Sequence, residues 1–149
     1  MGQVMFRGFT DDVLAGAAIS AADLRVILVM TNTTCDTEPD VQTMSGFTTI
    51  DECDGVGYAE LDLASVAAAW DATNNRLEWD ATDGDMDGGG GSIAAATRDV
   101  QGYVIYRYVD GTDANDVPWG YRDIGPYTMA GGPFDFVWNA EGIAQLASA

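Results

Sequence analysis

From Gly55 onward the chain is a succession of short apolar runs broken by turn residues, and this spacing limits its fold more than any other feature. GYAELDL, SVAAAWD, NRLEWDA, GYVIYRYVD, PWGYRDI and PFDFVWNAEGIAQLA follow in order, with no long helical pattern between them. In NRLEWDA, Leu77 and Trp79 alternate with Arg76, Glu78 and Asp80, and in PFDFVWN, Phe134 and Phe136 flank Asp135. Successive strand side chains point to opposite faces, so this alternation marks strands with one face buried and one wet. The expectation is an all-β fold: an antiparallel β-sandwich or barrel-like domain with one short N-terminal helix. A chain of 149 residues makes a single domain over 1–149, able to bury roughly two-thirds of its unfolded surface.

The N-terminal part has a different pattern. In FTDDVLAGAAISAADLRVILVMTN, Thr10 is placed to cap a short helix, Asp11 and Asp12 sit in its positive first turn, and Gly16 ends it. Leu24 to Met30, apolar apart from Arg25, reads as a buried strand. Between Trp70 and Arg76, Asn74 and Asn75 tolerate left-handed backbone and mark a hairpin turn. Cys35 and Cys53 share one turn-rich, irregular segment. Sequence leaves open whether they pair, because Cα separation decides it.

Charge removes whole classes of partner. Asp and Glu total 24 against six arginines, lysine and histidine are absent, and the net charge is −18. Such a chain repels phosphate backbones and anionic headgroups, so neither nucleic acid nor a membrane surface is expected as a partner. An excess of aspartate suits salty surroundings, where screening relieves self-repulsion. LRVILVM and LASVAAAW fall far short of the ~20 residues that span a bilayer. MGQVMFRGFTDD has neither the basic region nor the apolar core of a secretory signal, so synthesis in the cytoplasm without a targeting segment is expected.

Catalytic chemistry finds little support. Without histidine there is no Ser-His-Asp or Cys-His arrangement and no ordinary proton shuttle near neutral pH. Two cysteines are too few for a zinc site, and the run Gly88 to Gly91 lacks the Lys-Ser/Thr end of a phosphate-binding loop. With so many acids, some pair always has a glycosidase spacing, so that signal is empty. The expectation is no enzyme, no cofactor, no metal and no catalytic residue. Asp83, Asp85, Asp87 and Gly88 imitate the start of a calcium loop, but the closing twelfth position, which requires Glu, is Ala94. Asp83 to Gly91 is therefore expected as a mobile, exposed connection, and Asp110 to Pro118 as a surface turn. Trp70, Trp79, Trp119 and Trp138, with Tyr103, Tyr106 and Tyr108, are expected as core or cross-strand pairs. The alternative is a sugar-stacking platform beside Asp113 and Asp116.

Taken in order, TDDVLAG…DLRVILVMTNT, GVGYAELDL, WDATNNRLEWDATD, GYVIYRYVDG and GGPFDFVWNAEGIAQL resemble a family of small tailed-phage virion proteins, over most of the chain. The resemblance implies an all-β structural virion protein of a tailed bacteriophage, similar to capsid decoration (cement) proteins and not an enzyme. It implies a place in the virion on the outer capsid surface, the major capsid protein as partner, and homo-oligomers on the particle. A tail-associated adhesion module and a carbohydrate-binding module are the alternatives. The two cysteines, the long connection between them and the four-glycine loop depart from the family pattern.

Overall fold

A computed structural model describes residues 3–17, 23–89, 91–138 and 144–147. The chain runs β1 (Gln3–Met5), α1 (Arg7–Leu14) and β2 (Leu24–Met30), then an irregular segment with a 3-10 turn at Met44–Gly46. It continues through β3 (Leu61–Asp62), β4 (Ala67–Asp71), β5 (Arg76–Asp80), β6 (Gly84–Asp85), β7 (Val100–Arg107), β8 (Val117–Tyr127), β9 (Asp135–Phe136) and β10 (Ala144–Ala147). A five-stranded sheet has the order β1-β8-β7-β2-β3, a three-stranded sheet the order β10-β5-β4, and β6 pairs with β9. All of these pairings are antiparallel. The fold is all-β with one short helix, and the five-stranded sheet stays open, with β1 and β3 at its edges.

β2 shows why this sheet lies in the middle. Leu24, Val26 and Leu28 turn toward a core cluster that includes Phe9, Trp79, Met86 and Phe136. Ile27 and Val29 turn the other way, toward Phe6, Cys35, Met44, Phe47 and Tyr121. The central sheet is thus buried on both faces, and the single wet face expected from alternation belongs to the smaller sheet that contains β5. One face is covered by α1 and the two smaller sheets. The other is covered by the irregular segment after β2, which folds against the sheet through its own hydrogen bonds, among them Met30 N to Asp51 O at 2.7 Å and Cys53 N to Leu28 O at 2.9 Å. Glu38 cross-links its first part by accepting from Thr34 Oγ1 and Thr48 N.

A bulge sets the aromatic packing. Ile105 pairs with Gly120 and Tyr106 with Pro118, which leaves Trp119 as the extra residue of β8. A bulge re-aims one side chain, and here Trp119 joins the first cluster whereas Tyr121 joins the second. Phe9 then meets Trp119 edge to face at 5.2 Å and Trp79 at 5.9 Å, contacts worth ~0.5–1.5 kcal/mol each beyond burial.

Two sequence expectations need correction. The helix begins at Arg7, not after Thr10, and Phe6 holds its N-cap position without a side-chain cap. Its first amides are satisfied by carbonyls from elsewhere, Arg7 N by Pro39 O at 2.9 Å and Gly8 N by Val41 O at 3.2 Å, which removes the need for a capping hydroxyl. Only its first turn is buried, through Gly8 and Phe9. Gly16, at φ +81°, follows the end of the helix as expected. PFDFVWNAEGIAQLA is not one strand: β9 pairs with β6 and β10 with β5. Residues 139–143 lie outside the described residues. Phe134, Phe136 and Trp138 do turn inward as their alternation requires.

Candidate functional site

A polar cleft of about 320 Å³ lies beside β7, walled by Glu52, Glu60, Asp113, Asp116, Tyr106 and Tyr108. Arg25, the one interruption in the apolar run of β2, reaches into this neighbourhood. Its guanidinium bonds Glu60 at 2.5 Å and lies 3.4 Å from the centre of the Tyr108 ring. Tyr106 donates its hydroxyl to the other Glu60 oxygen. Tyr58 donates to Glu52 at 3.0 Å and accepts from Leu28 N at 3.1 Å. Asp116, only 4% exposed, accepts from Val109 N at 2.7 Å and Asp110 N at 3.3 Å.

Glu52, Glu60 and Asp116 are therefore engaged by the chain's own donors. Enclosure in the cleft, and then the negative charges of Glu60 and Asp113, push the Glu52 carboxyl above its ordinary value against the hydrogen bond from Tyr58. Burial first, then the bond to Glu60, raise Tyr106 well above an ordinary phenol. The arrangement fastens the 109–116 loop and β3 to the central sheet. Asp110 to Pro118 is more than a surface turn, because Asp116 is buried while Asp110 accepts from Thr112 N at 3.0 Å and from Asn115 Nδ2 at 2.7 Å.

The aspartate-glycine stretch also differs from expectation. Gly84 and Asp85 form β6 and pair with Phe136 and Asp135. Met86 is 0% and Asp87 5% exposed. Asp83 accepts from Trp138 N at 2.8 Å, and Asp87 from Gly89 N at 3.0 Å. Asp83 to Asp87 is thus a paired, partly buried segment and not a mobile connection. Met86, the one apolar residue between the acids, was the sequence signal for this, since its burial pulls the segment inward. Gly88, Gly89 and Gly91 are exposed, and Gly90 lies outside the described residues. Among the described residues no group of three or more His, Cys, Asp or Glu side chains is placed to hold a metal ion.

The aromatics separate cleanly. Trp79, Trp119 and Trp138 are buried with Tyr103 and Tyr106, as core residues should be, whereas Trp70 on β4 is 57% exposed. No row of exposed tryptophans adjoins Asp113 and Asp116. A small apolar groove of about 70 Å³ runs beneath β1, with Phe9, Trp79, Tyr103 and Trp119 in its walls. Cys35 and Cys53 are free thiols, both buried, and they belong to clusters on opposite faces of the central sheet. Compared with protein-family models, with curated proteins and with solved structures, the chain matches none. No described helix is long and apolar enough to cross a membrane.

Proposed function

We propose that this chain is a structural virion protein of a tailed bacteriophage, a capsid decoration (cement) protein that binds the major capsid protein on the outer surface of the shell. The observation that carries this reading is the ordered set of segments resembling small tailed-phage virion proteins. Those segments supply framework: DLRVILVM contains β2, WDATNNRLEWD the end of β4, the turn and β5, GYVIYR most of β7, and PFDF contains β9. Support also comes from the polar network. Among the described residues Arg7, Arg25, Arg76, Arg98 and Arg107 form ion pairs within the chain, and Glu60 and Asp116 hold neighbouring segments in place, which suits a rigid adhesive body.

Mass spectrometry of purified particles of the encoding phage is the direct test. Many copies of this chain per particle are expected. Abundance in infected-cell lysate with absence from particles would sink the proposal, and a handful of copies would move it to the tail. Exposed Trp70 and half-exposed Tyr127 leave a carbohydrate-binding module as the second reading. Glycan binding abolished by Trp70→Ala would favour it.

A further inference from the structure

The outer edge of β4 lacks the devices that guard such edges. β4 pairs with β5 on one side, from Ala67↔Asp80 to Asp71↔Arg76, and it ends the sheet order β10-β5-β4. Among the described residues no other strand lies beside it. Free N–H and C=O groups on an edge template pairing with another chain, and edges are ordinarily protected by lysine, proline, a bulge or extreme shortness. β4 contains no lysine and no proline, its single charge is the terminal Asp71, and the β4–β5 register is unbroken. Ala67 to Trp70 are all exposed. With five residues, β4 is longer than the edge strands β1, of three, and β3, of two.

We propose that β4 pairs antiparallel with β4 of a second copy of this chain, about a two-fold axis at Ala69, joining the two three-stranded sheets into one continuous sheet. The strand's own order of sizes and charges selects this occupant. With Ala69 opposite Ala69, Trp70 falls opposite Ala68 on one face and Asp71 opposite Ala67 on the other. Each indole gains the space beside an alanine, and Asp71, whose carboxylate already accepts from Thr73 N and from Asn74, meets no opposing charge. Opposed like charges, which destabilise strand pairs, are avoided. Centring the axis on Trp70 instead would set ring against ring. A two-fold interface is isologous, so each favourable match occurs on both sides of the axis. The net charge of −18 opposes self-association at low salt and is screened beyond about 10 Å at about 0.1 M. The dimer therefore strengthens as ionic strength rises. This pairing is a property of the isolated chain and stands apart from the particle reading.

Sedimentation equilibrium of the purified full chain, across a salt series, tests it. The expected result is a species of twice the 15.8 kDa chain mass whose fraction grows with salt. Ala69→Glu and Ala69→Lys each place like charges at the axis and weaken the dimer by about tenfold or more, and mixing the two variants restores it. Circular dichroism verifies that each variant is folded. A wild-type monomer at every salt concentration overturns the proposal. So does a dimer indifferent to both Ala69 substitutions, or a mixture that fails to restore association.

Discussion

Trp119 Nε1 donates a 2.8 Å hydrogen bond to Asp12 Oδ2, although 107 positions separate the two residues. The same carboxylate accepts from Arg107 Nε at 2.7 Å and Arg107 Nη2 at 2.8 Å. One side chain on α1 therefore fastens the helix to both β7 and β8. Asp12→Ala leaves a buried indole N–H and a half-buried guanidinium without their acceptor. The expected loss is about 2–4 kcal/mol in urea unfolding. Asp11→Ala, at an exposed position one residue earlier, is expected to cost about 0.5 kcal/mol or less.

The same carboxylate gives the protein an acid limit. Burial pushes the Asp12 carboxyl up, but the hydrogen bonds from Arg107 and Trp119 and the Arg107 charge outweigh it and hold it below its ordinary value. The folded state then binds fewer protons than the unfolded state. Its contribution is complete above the unfolded pKa of ~3.9 and is lost as pH falls through the lowered folded value. Melting temperature is expected to fall below about pH 4. Asp12→Asn should show a lower plateau near neutral pH and a smaller acid drop. Equal acid drops in the two proteins would refute the assignment.

Tyr121 and Gly102 make a second pair with opposite expectations. A Cβ on Gly102 would lie 2.5 Å from Arg122 O and 2.6 Å from Tyr121 Cε2, so Gly102→Ala forces backbone or ring to move and is expected to cost about 1–3 kcal/mol. Among the described residues the buried Tyr121 hydroxyl has no hydrogen-bond partner, and a polar group buried alone costs stability. Tyr121→Phe is therefore expected to be neutral or stabilising by up to about 1 kcal/mol. Thermal unfolding of both variants checks the pair.

Legibility in the sequence followed range. β2 was readable because Leu24 to Met30 is a local apolar run, and the β4–β5 turn because Asn75, at φ 54°, uses the left-handed conformation that asparagine tolerates. The start of α1 was not readable, since its amides are satisfied by Pro39 and Val41, far along the chain. The acidic cleft was hidden for the same reason: Arg25, Glu52, Glu60, Tyr106 and Asp116 come from separate segments. Arg25, a charge within a buried run, was the one local sign that a buried polar network was needed.

The cysteines follow from their placement on opposite faces of the central sheet. Burial pushes the Cys35 thiol up to about 11 and raises Cys53 as well, and reactivity belongs to the thiolate. Native protein is expected to react slowly with a thiol reagent, and both thiols should become titratable in denaturant. Its mobility on denaturing gels should be the same with and without reductant. Loss of both titratable thiols in freshly purified, denatured protein would show that they had paired after all.

Calcium is expected to act as a screening salt and nothing more. Asp83 is engaged by Trp138 N and Asp87 by Gly89 N, so two of the three acids that imitate a calcium loop already hold backbone amides. The third, Asp85, is exposed and lies in a two-residue strand. Ordering a metal there would require Asp83 and Asp87 to release their partners, and Ala94 supplies no ligand at the closing position. Melting temperature should rise in parallel with sodium chloride and calcium chloride at matched ionic strength. A real site filled at a hundredfold excess over its dissociation constant would add ~2.7 kcal/mol, as a saturable rise that EDTA reverses. The substitutions separate the roles of the acids: Asp83→Ala should cost about 1 kcal/mol through the lost bond to Trp138 N, whereas Asp85→Ala should stay within about 0.5 kcal/mol. A saturable calcium effect that disappears in Asp85→Asn would overturn this account, because it would make the exposed acid, and not the two engaged ones, the centre of the segment's chemistry.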